Sequence, residues 1–266
     1  MNRQLTEKYN TLRSLIAAKG RVAVAFSGGV DSTLLLKAAT EATHGRAIAL
    51  LASTPLQPEA ETKGAIATAA SIGAPLEVRH LDPLAWPGFV SNPPDRCYHC
   101  KKTIYKDFQL FLANQPDTVL LDGTNMDDLH DDRPGHRAIR ELGVKTPLVE
   151  AKLDKAEIRT LSRELHLATW NKPSASCLAT RIATGLSIDH EKLVAVSRCE
   201  AYLHAFGIQN CRVRLRPDNS ASIELIANDF NKLSKQEVRN KVLFFFKTMG
   251  FMKVFLDLSE RIGKVL

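Results

Sequence analysis

An apolar run, Val22-Ala23-Val24-Ala25-Phe26, passes directly into Ser27-Gly28-Gly29-Val30-Asp31-Ser32, and a helical pattern continues over residues 31–43. A strand that turns through two glycines straight into a helix leaves few folds open, foremost the parallel α/β sheet. At such a turn, backbone N–H groups and the positive end of the helix dipole converge on one point, which suits an anion. Gly28 and Gly29 let the main chain approach phosphate oxygens closely, and the Ser27 and Ser32 hydroxyls add donors. The loop has neither the lysine of a Walker A motif nor the G-x-G-x-x-G spacing of a dinucleotide fold. Its plainest alternative is a strand-to-helix turn without a ligand.

The alternation continues downstream. Candidate strands fall at 21–26, 46–52, 76–80 and 118–121, and candidate helices at 31–43, 58–72, 98–113 and 154–166. This order predicts a doubly wound parallel sheet with helices on both faces. Three stretches lack periodicity and read as loops: 81–96, rich in proline; 123–135, crowded with Asp127, Asp128, Asp131 and Asp132; and 170–185, which holds Cys177. From about Ser187 the pattern changes to helix 190–206, strand 211–216, a turn at Pro217-Asp218-Asn219-Ser220, strand 221–226, helix 230–248 and strand 251–258. The expected domains are therefore 1–186, α/β, and 187–266, a smaller α+β unit.

With 44% apolar and 24% charged residues, the 266-residue chain can bury one sizeable core and a smaller second one. No apolar run approaches the length of a membrane span, and the first residues show no export segment, so a cytoplasmic protein without a membrane partner is expected. A net charge of +7 favours phosphorylated or carboxylated partners, while aromatics at only 6% argue against nucleic acid.

Five cysteines are an odd number for a disulfide framework. Cys97 and Cys100 form a C-x-x-C pair at the start of a helix, and Cys177 lies in a loop, so three thiolates could meet one ion or cluster. Zinc calls for a fourth ligand such as His99, whereas a cubane cluster on three cysteines leaves one iron open. Buried packing is the alternative for Cys100 and Cys177, but the spacing and the neighbouring Arg96, Lys101 and Lys102 favour thiolates. Cys199 and Cys211 have no such spacing and read as structural. Asp31 is either a Mg²⁺ ligand or a helix cap. Asp122-Gly123-Thr124-Asn125-Met126-Asp127-Asp128 follows a strand and so belongs at the carboxyl edge of the sheet, where ligands bind. Arg212, Arg214 and Arg216 share one strand face, either a cationic stripe suited to phosphate or carboxylate, as favoured for Arg212 and Arg214, or a solvated strand face.

The Ser27–Ser32 loop matches the S-G-G-x-D-S pattern of the N-type ATP pyrophosphatases, or PP-loop proteins, at every position. With the Asp95-Arg96-Cys97-Tyr98-His99-Cys100 segment, the Asp122–Asp128 loop ending in Asp132-Arg133-Pro134-Gly135, and Ser176-Cys177-Leu178-Ala179-Thr180-Arg181, the chain resembles the LarE family over nearly its whole length. That family consists of ATP-dependent sulfur transferases that build the nickel-pincer nucleotide cofactor of lactate racemase. The resemblance implies ATP and Mg²⁺ at Ser27, Gly28, Gly29, Asp31, Ser32, Gly123, Thr124 and Asn125. It implies adenylylation of pyridinium-3,5-biscarboxylic acid mononucleotide and conversion of its carboxylates to thiocarboxylates. Cys177, Asp31 and Arg181 become the catalytic candidates and Arg212 and Arg214 the substrate contacts, while Glu200 and Glu224 match acidic family positions that surface placement would also explain. Family members with one cysteine sacrifice its sulfur; the presence of Cys97, Cys100 and Cys177 resembles those holding a 4Fe-4S cluster. A homo-oligomer, trimer or hexamer, is implied, and the sulfur donor stays open. The rival readings are a PP-loop tRNA thiolase with a similar three-cysteine cluster, and a nucleotide-sensing scaffold with structural zinc.

Overall fold

The structure is a computed structural model that describes residues 2–129, 134–173 and 176–259. Asp131, Asp132 and Arg133 of the acidic segment, and Ser174 and Ala175 ahead of Cys177, lie outside the described residues. Internal contacts divide the chain into two units, Met1–Asp82 with Asp95–Ala175, and Pro83–Pro94 with Ser176–Leu266.

The first unit opens with α1 (Arg3–Ala17), which precedes the alternating segment and buries Leu5, Tyr9, Leu12 and Ile16 along one stripe. Then follow β1 (Arg21–Ala25), α2 (Val30–Ala42), β2 (Ile48–Ser53), α3 (Glu59–Ile72) and β3 (Leu76–His80). The next helix, α4 (Pro87–Val90), belongs to the second unit, and the first resumes with α5 (Arg96–Leu112), β4 (Thr118–Leu121), α6 (Pro134–Glu141), α7 (Pro147–Glu150) and α8 (Lys155–Glu164). The four strands are parallel in the order β3-β2-β1-β4. β1 is apolar on both faces because both are covered: Val22 and Val24 join a core with Leu12, Ile16, Leu34 and Leu35, whereas Ala23 joins another with Tyr105, Phe108 and Leu120. Each fully buried Leu of α2 contributes about 1.5–3 kcal/mol to that packing. The sheet is thus doubly wound, as the alternation predicts.

This strand order has a consequence for ligands. The chain winds from β1 outward through β2 to β3, then places β4 on the other side of β1, so the order reverses between β1 and β4. In open α/β sheets the crevice at the carboxyl ends of such a pair is where ligands bind. The loops that leave β1 and β4 are Ser27–Gly29 and Asp122–Asn125.

The second unit contains α4, α9 (His190–His204), β5 (Arg212–Leu215), β6 (Ala221–Glu224), α10 (Ala227–Ser234), α11 (Gln236–Thr248) and β7 (Val254–Leu256), with strand order β5-β6-β7. It begins ahead of the composition change at Ser187 and recruits the proline-rich segment. Asn92, fully buried, donates its side-chain amide to Ala183 O and Leu186 O at 2.8 Å each, and its backbone carbonyl accepts from Gly185 N at 2.9 Å. Where one helix over 230–248 is expected, Lys235 adopts an extended backbone and separates α10 from α11. On one continuous helix of 3.6 residues per turn, Leu233 and Val242 would stand on opposite faces. The break lets both be buried.

Candidate functional site

Gly28 has φ +67, the left-handed region that glycine enters without penalty. A Cβ there would also lie 2.7 Å from Ala65 Cβ and 2.9 Å from Ala65 Cα on α3, so the turn is closed against a helix backbone. Gly29 is the N-cap of α2 and supplies no side chain, which leaves the first-turn amides of Val30, Asp31 and Ser32 without intrahelical acceptors. Ser27 Oγ and Ser32 Oγ lie 3.1 Å apart, and Ser32 Oγ accepts from Ser27 N at 3.3 Å. Amides and hydroxyls are therefore gathered at the end of β1.

Two cations, Lys155 and Lys172, and their carboxylate partners, Asp31 and Glu61, frame the loop. Asp31 is not the cap of α2. Its carboxylate accepts from Lys155 Nζ, at the first position of α8, and from Asn125 Nδ2 at 3.3 Å. Asn125 in turn accepts from Asp127 N at 2.9 Å and Asp128 N at 3.3 Å, which folds the acidic loop back on itself. Lys172 Nζ donates to Gly28 O at 3.0 Å and pairs with Glu61 at 2.8 Å. Gly123 completes the enclosure, since a Cβ on it would stand 3.1 Å from Ser32 N. Ser27, Gly28, Gly29, Asp31, Ser32, Gly123, Thr124 and Asn125 are thus gathered in one unit at the β1–β4 crevice.

Asp122 directly follows β4 and is buried. One carboxylate oxygen accepts from Thr124 N at 2.8 Å and from the Thr124 hydroxyl; the other accepts from the Tyr105 hydroxyl and pairs with Lys101 Nζ at 3.1 Å. Burial by itself disfavours the charged form, but the Lys101 ammonium and the hydrogen bonds from Thr124, Tyr105 and Lys101 outweigh it and hold the carboxyl below its ordinary value of 3.8. Burial, and then the charge and hydrogen bond of Asp122, push the Tyr105 phenol well above 10.0.

Cys97 and Cys100 occupy the first turn of α5, one exposed and one half-buried, at the i, i+3 spacing that shares a helix face. Of the three cations expected to favour their thiolates, two are engaged elsewhere, Lys101 with Asp122 and Lys102 with Glu141 at 2.8 Å. His99 Nε2 lies 3.4 Å from Asp95 Oδ1. All five cysteines are thiols, so soft donors of the kind iron or zinc prefers are present on an accessible helix end. Among the described residues no group of three or more His, Cys, Asp or Glu side chains is gathered to hold a metal ion.

Cys177 lies in the second unit and caps the short 3₁₀ turn Leu178–Arg181. Arg181 is buried and frames it. Its Nε and Nη2 donate to Glu200 at 2.8 and 3.2 Å, and its Nη1 donates to Ser176 Oγ at 2.6 Å, Ser176 O at 3.0 Å and Cys177 O at 3.3 Å. Glu200 is buried rather than on the surface, and it also accepts from Val213 N at 3.0 Å, fastening the turn to β5. Arg214 forks onto Glu224 at 2.6 and 3.1 Å and donates to Thr180 O at 2.6 Å. Arg212 faces Glu224 in the strand register, and the Arg216 guanidinium sits 5.4 Å from the Phe255 ring centre.

Sequence reasoning missed Lys155, Lys172, Tyr105 and the anchoring role of Asp122. Lys155 and Lys172 reach the loop across more than a hundred residues, with no local pattern to mark them. Tyr105 does carry a signal: it stands four residues from Lys101 on the α5 pattern, next to the C-x-x-C pair.

No protein-family model matches the chain. An uncharacterized protein of Synechocystis is 36% identical over 98% of this chain and 99% of its own length. The pyridinium-3,5-bisthiocarboxylic acid mononucleotide synthase of Lactiplantibacillus plantarum is 34% identical over 96% of this chain and 92% of its own, and an uncharacterized protein of Methanocaldococcus jannaschii is 30% identical over 97% and 96%. With a named relative aligned over nearly the whole of both chains, the chain belongs to the LarE-type family of pyridinium-3,5-bisthiocarboxylic acid mononucleotide synthases.

Proposed function

We propose that the protein is an enzyme that uses ATP to adenylylate the carboxylates of pyridinium-3,5-biscarboxylic acid mononucleotide and replaces them with thiocarboxylates. The observation that carries this reading is the amide- and hydroxyl-lined turn at the β1–β4 crevice. The name of the Lactiplantibacillus relative supports the product.

In this reading the first-turn amides of α2 with Ser27 and Ser32 hold the outer phosphates, and Lys155 and Lys172 stand by to neutralise them. An open cavity of about 490 Å³ at the carboxyl ends of β2 and β3, lined by Ser53, Thr54, His80 and Asp82 among others, is large enough for the nucleoside. A substrate carboxylate oxygen attacks the α-phosphorus, the bond to the β-phosphate oxygen breaks, and pyrophosphate leaves. Adenylylation is needed because oxide is a poor leaving group, whereas AMP departs once sulfur attacks the activated carbonyl. Asp31, which pairs with Lys155, is the carboxylate that would hold Mg²⁺ beside the phosphates. Arg212 and Arg214 gather the anionic substrate, and Arg181 holds Cys177 in position.

We assign Cys97, Cys100 and Cys177 as the ligands of a 4Fe-4S cluster, which when bound supplies an open iron for a transferable sulfide. Anaerobic purification with iron and sulfide analysis, followed by incubation with ATP, Mg²⁺ and the biscarboxylic nucleotide, tests the proposal. Pyrophosphate release and sulfur insertion are expected in the wild type. Cys97→Ala, Cys100→Ala and Cys177→Ala should each abolish sulfur insertion and leave pyrophosphate release intact. Normal sulfur transfer by all three variants rejects the cluster; no affinity for ATP in calorimetry rejects the whole reading.

A further inference from the structure

Asp122 divides its two carboxylate oxygens between two elements. One takes the Thr124 amide and hydroxyl and so shapes the loop after β4, while the other takes Lys101 and Tyr105, one turn apart on α5. The loop it shapes is in close contact with the nucleotide turn, because Gly123 packs so tightly on the backbone of Ser32 that a Cβ would stand 3.1 Å from its nitrogen. The helix it grips is the one whose first turn carries Cys97 and Cys100. A second contact ties that turn down: Gly135 at the start of α6 would place a Cβ 3.3 Å from the Lys101 side chain and 3.8 Å from Cys97 O. We propose that Asp122, with Tyr105 and Lys101, is a positioning centre that makes the nucleotide loop and the cysteine-bearing end of α5 respond as one body.

This inference rests on the nucleotide reading above and adds a coupling to it. A nucleotide that settles on the α2 amides presses on Gly123, and Asp122 carries the constraint to Lys101 and Tyr105. Coupling between sites is reciprocal, so whatever orders the start of α5 tightens the nucleotide site by the same factor.

Tyr105→Phe isolates the link. It deletes the hydroxyl that reaches Asp122 and keeps the ring stacked on Phe108, with centroids 5.9 Å apart, so the core is preserved. Lys101→Met is the second variant, removing the ammonium and keeping most of the apolar stem. Hydrogen exchange of the full chain is followed by mass spectrometry with and without a non-hydrolysable ATP analogue. In the wild type the analogue should slow exchange both in peptides spanning 122–128 and in peptides spanning 98–108, the latter about fivefold, within the usual range of coupling factors. In both variants the protection at 122–128 should remain and that at 98–108 should vanish, while KM for ATP in pyrophosphate release rises about fivefold at unchanged kcat. Protection of 98–108 that is equal in wild type and variants, or absent from all while the analogue binds, overturns the coupling and leaves the nucleotide site standing. An analogue that fails to bind the wild type overturns both.

Discussion

The two units hold their candidate chemistry by different means. In the first, the turn at Ser27–Gly29 is a main-chain object: a positive φ at Gly28, a helix backbone 2.9 Å from the Cβ that is not there, and amides at a helix start. In the second, Cys177 is held by side-chain charge, with the buried Arg181 gripping Glu200 on one side and the Ser176–Cys177 backbone on the other. A main-chain cradle fails when one atom is added. An ion-pair frame fails when one charge is removed, because the partner is left buried and alone.

The largest effect should therefore come from the second unit. Glu200→Ala leaves a buried guanidinium without its carboxylate and Val213 N without its acceptor, at a cost of about 3–5 kcal/mol. Urea unfolding followed by a probe in the second unit measures it, and a loss below about 1 kcal/mol would show that charge does not frame Cys177. Glu200→Gln, which keeps a hydrogen-bonding oxygen, should lose less. Next comes Gly28→Ala, where the strained φ at about 1–2 kcal/mol and the collision with Ala65 at about 1–3 kcal/mol act together, and nucleotide affinity should drop at least tenfold. Gly20→Ala is its control: φ is +74, yet nothing lies within 4 Å, so only the backbone penalty applies. Equal losses at the two glycines would remove Ala65 from the account.

The same contrast explains what was legible in the sequence. The β1 turn could be read because main-chain sites are written locally: Val22 to Phe26 must be a strand, two glycines must turn, and Val30 onward must be a helix. The four parallel strands and the Pro217–Ser220 hairpin turn were legible for the same reason, as was the resemblance they share with the family. Lys155 on Asp31, Lys172 on Gly28 and Arg181 on Glu200 were not, since a long flexible side chain finds its partner only after the fold has brought it near. Burial of Glu200 inverts the ordinary expectation for a glutamate and becomes visible only with Arg181 beside it. The single helix expected over 230–248 failed because its apolar residues satisfy a helical period on each side of Lys235 and lose phase across it.

Asp122 bridges the two modes, a charge that shapes a main-chain loop, and it should give the first unit a pH signature. Its folded pKa lies below 3.8, so its contribution is fully present above that value and is lost as the pH falls through the lowered one. Tyr105 has the opposite sense: its pKa is raised, so its contribution is complete below 10.0 and fades as the pH climbs toward the folded value. Asp122→Asn should thus cost about 1–3 kcal/mol near neutral pH, with the gap to wild type closing in acid below 3.8. A gap that stays constant through acid would mean that shape, rather than charge, is what Asp122 provides.

The smallest effect on stability separates two roles for the arginine strand. Arg214 is about one-third exposed and forks onto Glu224, so the pair contributes about 1 kcal/mol at most, and Arg214→Lys should change unfolding by no more than that. A lysine keeps the charge but cannot make the fork, and a planar anion such as a carboxylate or phosphate distinguishes the two. If Arg214 gathers substrate, KM for the biscarboxylic nucleotide should rise about tenfold at unchanged kcat, the mark of binding lost equally from ground and transition states. If it serves only the β5–β6 pairing, stability should fall slightly and KM should not move, and Glu224→Gln should mimic it. The side-chain frame of the second unit would then be scaffold at Arg214 as well as at Arg181, and substrate recognition would have to come from Arg212.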